Sequence, residues 1–123
     1  MWLFFIAEEE KNMTKLCTLK LNKEFRTAYY HGKVFVHPLL IVYVRKNKAG
    51  LSRLGITTGK KVGKAVQRNR CRRIIREAFR QHYPAIQGNW DIVLVARKAT
   101  VDSTSTALYR VMQQLFKKAG LLL

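Results

Sequence analysis

The run Asp91-Ile-Val-Leu-Val-Ala96 constrains this chain more than any other feature. It is almost continuously apolar, the pattern of a central β-strand covered on both faces rather than of a strand with one face in water. The rest of the sequence has to supply the covering layers. Upstream, Val34-Phe35-Val36, Leu39 to Val44 and Arg53 to Thr58 are rich in β-branched and aromatic residues, with His37-Pro38 and Lys48-Ala49-Gly50 as the breaks between them. These three strands are expected to be antiparallel. A short helix opens at Asn22-Lys23-Glu24-Phe25, with Asn22 as N-cap, Phe25, Ala28 and Tyr29 on one side and Gly32 as its end. A second helix spans Val66 to His82 and stops before Pro84. A third, from Ser105 or Thr106 to Ala119, is amphipathic through Leu108, Val111, Met112, Leu115 and Phe116 and is capped by Gly120. The order α-β-β-β-α-β-α predicts an α+β fold, an α/β sandwich with a sheet of about four strands packed with three helices.

The 123 residues contain no repeat and no Pro- or Gly-rich linker, so one domain over 13–123 is the simplest organisation. The opening MWLFFIAEEEKN matches nothing downstream in composition, and residues 1–12 read as an extension ahead of a physiological start at Met13. It lacks a basic n-region, and its apolar run is far below the roughly 20 residues that cross a bilayer. Cys17 and Cys71 have no metal-type spacing and read as reduced, buried thiols.

Charge narrows the function. Lys and Arg number 24 against 7 Asp and Glu, a net charge of +17, and three of the acids are Glu8, Glu9 and Glu10. A polyanion is the expected partner. From Lys60 to Arg80 there are nine basic residues and a single acid, Glu77. On a helical wheel Cys71, Ile74, Ile75, Ala78 and Phe79 form an apolar stripe, while Arg68, Asn69, Arg70, Arg72, Arg73, Arg76 and Arg80 fall on the opposite arc. Solvated helices ordinarily mix signs through Glu–Lys pairs, and this one does not. Its preference for Arg fits phosphate, which the planar guanidinium meets with paired hydrogen bonds.

Catalysis by the protein's own side chains is not expected. Metal-assisted phosphodiester cleavage uses clustered carboxylates holding ions about 4 Å apart. Beyond the N-terminal glutamates only Glu24, Glu77, Asp91 and Asp102 remain, each on a separate element. His31, His37 and His82 show no acid/base pairing, and His82 at a helix C-terminus reads as a dipole contact. The stretch from Gly55 to Lys61 has three residues between its glycines and Lys61 after Lys60, which is not the spacing of a Walker loop. It reads as a flexible basic loop whose amides could grip a phosphate. Phe25, Tyr29, Ile41 and Tyr43 allow two readings. They are a plain core between helix and sheet, or a shallow groove on which unpaired bases stack.

Taken together, these residues resemble the protein subunit of bacterial ribonuclease P. The stretch Arg68-Asn69-Arg70-Cys71-Arg72-Arg73-Ile74-Ile75-Arg76-Glu77-Ala78-Phe79-Arg80, preceded by Lys60-Lys61-Val62-Gly63, resembles that family's RNR signature. Leu21 to Phe25 with His31-Gly32, Arg53 to Ile56, Asp91 to Arg97 and Leu115 to Leu122 match its other elements in order. The resemblance implies a sandwich with a left-handed βαβ crossover, similar to a domain of elongation factor G. It further implies that a large RNA subunit does the cutting with bound magnesium, releasing the 5′ leader of precursor tRNA, and that the protein side chains hold neither catalytic groups nor metal. Docking on the catalytic RNA would fall to Arg68, Asn69, Arg70, Arg73 and Arg76, with Arg72 and Arg80 on the same helix and Lys60, Lys61 and Lys64 beside it. The leader would lie on Phe25, Tyr29, Ile41 and Tyr43. The sequence departs from the family pattern at Gly59, where Ser is common, and at Lys64, where Asn is. The implied protein is a cytoplasmic monomer within a ribonucleoprotein, with no membrane or DNA partner. A ribosomal or other structural RNA-binding protein accounts equally well for charge and fold, but not for the RNR helix together with an aromatic cleft.

Overall fold

The computed structural model describes residues 17–18, 22–48 and 50–123, with side chains from 26 onward. The readings made for residues 1–12 and for the Cys17 thiol therefore lie outside the described residues. The elements in chain order are β1 (Cys17–Thr18), α1 (Asn22–His31), β2 (Lys33–His37), β3 (Leu40–Lys46), β4 (Arg53–Thr57), α2 (Ala65–His82), β5 (Trp90–Ala96) and α3 (Ser105–Ala119). Short 3₁₀ turns at Lys60–Val62, Tyr83–Ala85 and Lys98–Asp102 join them.

The strands form one sheet in the order β1-β4-β5-β3-β2. β5 sits at its centre, as the apolar run requires, and every residue of it except Val95 is buried. β2 and β3 form the expected hairpin, antiparallel with His37 opposite Leu40 across the Pro38-Leu39 turn. The third expected antiparallel partner is displaced, however. β5 inserts between β3 and β4, pairing antiparallel with the former and parallel with the latter. A strand that is apolar on both faces gains most from neighbours on both edges, and this outweighs the tendency of successive strands to pair. Among the described residues the two of β1 add a short fifth strand, parallel to β4, beside the four expected, and so short a strand leaves no periodicity in a sequence.

One face of the sheet carries the main core. Leu40, Val42 and Val44 of β3, Leu54 and Ile56 of β4, and Ile92 and Leu94 of β5 meet Cys71, Ile75, Ala78 and Phe79 of α2 and Leu108, Met112, Leu115 and Phe116 of α3. Phe79 and Phe116 are fully buried and edge-on, with ring centroids 6.0 Å apart. α3 starts with Thr104 accepting the Ala107 N–H at 3.1 Å and ends at Gly120, whose φ of 90° lets its N–H close back on Phe116 and Lys117. α1 covers part of the opposite face. Gly32 permits this: a methyl group there would press on the Ala28 carbonyl and come within 2.8 Å of the Val44 carbonyl, so only glycine lets the helix end meet β3.

Candidate nucleic-acid interface

α2 is positioned by its buried stripe, since Cys71, Ile75, Ala78 and Phe79 are fully buried and Ile74 is half-buried. Its approach is pinned by Val62, which is buried while Lys60, Lys61 and Lys64 on either side stay exposed. Lys64 occupies the N-cap position without an acceptor atom to offer. Its backbone N–H instead donates to Gln67 Oε1 at 2.8 Å.

The basic residues of the helix divide by their partners. Asn69, Arg70 and Arg73 are exposed, and Arg68, Arg72 and Arg80 half-buried. Arg80 donates to both Glu77 carboxylate oxygens, at 2.7 and 2.8 Å, and Arg72 donates to Asn69 Oδ1 at 3.2 Å. Arg70 turns away along the molecule and donates to the carbonyls of Val101 at 3.1 Å and Ser103 at 2.9 Å. Arg68 and Arg73 have no side-chain hydrogen-bond partner among the described residues, which leaves their guanidinium groups ready for an external anion. Arg76 departs from the expected open arc, being 8% exposed. A wheel fixes the direction of the Cα–Cβ bond but not how far neighbouring elements wrap around the helix, and at 76 they wrap far enough to cover it.

Two groups beside this face are buried rather than reactive. Burial raises the Cys71 thiol above its ordinary pKa, against the opposing pull of Arg70 and Arg72, so it stays protonated and inert. His82 is 3% exposed, stacked on the Tyr109 ring at 4.0 Å, with Nε2 2.9 Å from the Tyr109 carbonyl. Burial lowers its pKa, with the carbonyl contact opposing, so the ring is neutral near pH 7 and is not the cationic dipole partner its position suggested.

The aromatic residues lie on the other side of the sheet. Strand alternation turns Ile41 and Tyr43 away from the main core. The pairing sets Val36, Ile41, Val95 and Thr57 on one rung across the sheet and Val34, Tyr43 and Val93 on the next. Tyr29 of α1 meets Tyr43 edge-on with centroids 4.8 Å apart, and the Tyr29 and Thr57 hydroxyls are hydrogen-bonded at 3.0 Å. Only Ala28 and Val93 are fully covered in this cluster; Tyr29, Ile41, Tyr43 and Val95 are half-buried, and Val34 and Val36 are 50% and 63% exposed. The structure thus brings Tyr29, Ile41 and Tyr43 onto one partly open floor. Phe25 is in α1, one turn before Tyr29, and its side chain lies outside the described residues. The next rung is charged: Arg45 and Arg53 flank Asp91. Arg53 donates Nε and Nη2 to the two Asp91 oxygens, each at 2.8 Å, and Asn47 Nδ2 adds a bond of 2.7 Å.

Asp91 is thereby committed to the fold, and among the described residues no three His, Cys, Asp or Glu side chains gather to hold a metal ion. No described helix is long and apolar enough to cross a membrane. Sequence reasoning missed Val34, Val36 and Val95 on the open floor, although the two-residue period of β2 carried the signal. It also missed Lys98, exposed on the turn that follows β5. Its signal was positional, since parallel neighbours β4 and β5 bring the segments that follow them together.

Comparisons with known proteins agree with this geometry. A family model described as Ribonuclease P matches residues 13–120. The ribonuclease P protein component of Clostridium kluyveri is 42% identical over 105 residues, covering 84% of this chain and 94% of the relative. The solved RNase P protein of Staphylococcus aureus superposes with a TM-score of 0.78 at 33% identity, covering 89% of this chain and 100% of that one. The Thermotoga maritima RNase P protein gives 0.73 at 31% identity, covering 82% and 96%.

Proposed function

The chain belongs to the ribonuclease P protein family, and from that membership we propose that it serves as the protein subunit of the holoenzyme, docking on the catalytic RNA and binding the 5′ leader of precursor tRNA. The observation that carries the reading is that two surfaces of different chemistry lie on opposite sides of one sheet, so that one RNA can be held without hiding the other surface. The basic side, with Lys60, Lys61, Lys64, Arg68, Asn69, Arg72 and Arg73, meets the folded catalytic RNA through its phosphates. Arg76 and Arg80 support it from more covered positions. On the other side Tyr29, Ile41 and Tyr43, with Phe25 by its place in α1, form a floor for unpaired nucleotides, and Arg45 on the adjoining rung gives that floor a cationic rim.

The protein's part in the reaction is binding. Bringing catalytic RNA and precursor tRNA together opposes two polyanions, and a chain of net charge +17 offsets that repulsion and lowers the magnesium needed. Contacts to the leader favour precursor over mature tRNA, which has no leader to offer. Magnesium bound by the RNA supplies the cleavage chemistry. The chain would act as a monomer in the cytoplasmic ribonucleoprotein.

The test is the affinity of the reconstituted holoenzyme for precursor and for mature tRNA. Tighter binding of the precursor, growing with leader length over the first few nucleotides, is expected. Equal affinities would transfer the chain to a structural RNA-binding role.

A further inference from the structure

Arg70, the second arginine of the α2 signature, differs from Arg68 and Arg73 in having its guanidinium engaged. Its acceptors, the Val101 and Ser103 carbonyls, lie at the exit of the Lys98–Asp102 turn. A rigid fork reaches two carbonyls two residues apart, which a single ammonium group does not reproduce. The same turn is anchored from its other side by Thr100, which is fully buried. Its hydroxyl donates to the Leu39 carbonyl at 2.6 Å and accepts the Arg97 N–H at 2.8 Å. Between these anchors Lys98 and Ala99 are exposed.

The place of the turn gives this brace a consequence. Thr57 and Val95 form the last registered pair of the parallel strands β4 and β5. Lys60 follows the first by three residues and Lys98 follows the second by three, and the Lys60–Val62 and Lys98–Asp102 turns pack against each other. Asp102 is the turn's one acid, against Lys98 and the preceding Arg97.

We propose that Arg70 is a positioning residue for the RNA interface, and that the turn it braces makes Lys98 a phosphate-contacting residue beside Lys60 and Lys61. The proposal rests on the reading of the α2 face as the dock for the catalytic RNA. It differs from the expectation that Arg70 itself grips RNA.

The experiment is the affinity of the full chain for bacterial ribonuclease P RNA across a salt series, for the wild type, K98A, R70A, R70K and the double variant K98A/R70A. Loss of one phosphate contact lowers the slope of log affinity against log salt by about 0.7–0.9, which makes the affinity lost between 50 and 200 mM salt about threefold smaller. K98A is expected to show that change, R70A to match it, R70K to fail to restore the wild-type slope, and the double variant to go no further than R70A. An unchanged slope in K98A, restoration by R70K, or summed effects in the double variant would each overturn the proposal. Lys98 is exposed, so the K98A result stands even if the Arg70 variants fold poorly. R68A and R73A in the same series separate the two levels. A reduced slope in them beside an unchanged K98A defeats only this inference, whereas no change in any of them defeats the docking reading as well.

Discussion

Replacing Tyr43 by alanine tests the leader-binding floor, and its expected size follows from the ring's surroundings. Stacking an unpaired base on an aromatic side chain contributes about 1–3 kcal/mol. Tyr43 is half-buried and meets Tyr29 edge-on at 4.8 Å, so only part of its ring is open to a base, which places the expected loss in the lower half of that range. About 1–2 kcal/mol corresponds to roughly a 5- to 30-fold weaker affinity for precursor tRNA. Truncating a fully buried aromatic costs about 3–5 kcal/mol, and the half-buried Tyr43, its contact with Tyr29 included, costs less than that, below the about 5–15 kcal/mol by which domains are stable. Y43A therefore stays folded. The assay is equilibrium binding of the reconstituted holoenzyme to precursor tRNA with leaders of increasing length, and to mature tRNA. Y43A should lose precursor affinity by that factor, leave mature tRNA affinity and assembly with the RNA subunit unchanged, and be rescued by Y43F, which keeps the ring. Equal weakening toward precursor and mature tRNA, or undiminished leader discrimination, would refute the reasoning.

R68A and R73A should each weaken assembly with the catalytic RNA and lower the slope of log affinity against log salt by about 0.7–0.9 per phosphate contact, read from binding titrations at several salt concentrations. D91N should lower stability by about 3 kcal/mol in denaturant unfolding, because it removes the carboxylate charge facing Arg53 and replaces one of the two oxygens that accept its 2.8 Å bonds with a donating NH2 group. His82 is held neutral in the fold with its pKa below the ordinary 6.5, while the unfolded chain titrates normally. The unfolded state therefore takes up the extra proton first, so this contribution to stability is complete above about pH 6.5 and falls as the pH drops toward the folded value, by at most about 1.4 kcal/mol per unit. Unfolding of the wild type between pH 7.5 and 5 should show that fall, and H82F, which keeps a ring against Tyr109, should flatten it.

Most of the layering was legible in the sequence because it follows from periodicity. Four of the five stripe residues of α2 and all five apolar positions of α3 are buried, with Ile74 half-buried, and Gly120 and Pro84 end their helices where their backbone limits require. Pairing between elements distant in sequence was less legible. Whether β4 joins β3 or β5 depends on which arrangement buries β5 on both edges, a property of the whole sheet that no local window contains. The site divides in the same way. A wheel finds a one-signed arginine face, yet it cannot distinguish Arg73, open to solvent, from Arg70, tied to carbonyls more than thirty residues away, or from Arg76, which is covered. The aromatic set left two readings open in the sequence. The half-burial of Tyr29, Ile41 and Tyr43 beside exposed Val34 and Val36 describes a partly uncovered floor rather than a closed core.

The most direct test of the central claim is cleavage of a 5′-extended precursor tRNA at low magnesium, with a bacterial ribonuclease P RNA alone, this protein alone, and both together. Release of the leader at the mature 5′ end only when both are present is the predicted result. Cleavage by the protein alone, or binding to the RNA without restored cleavage, would contradict the account.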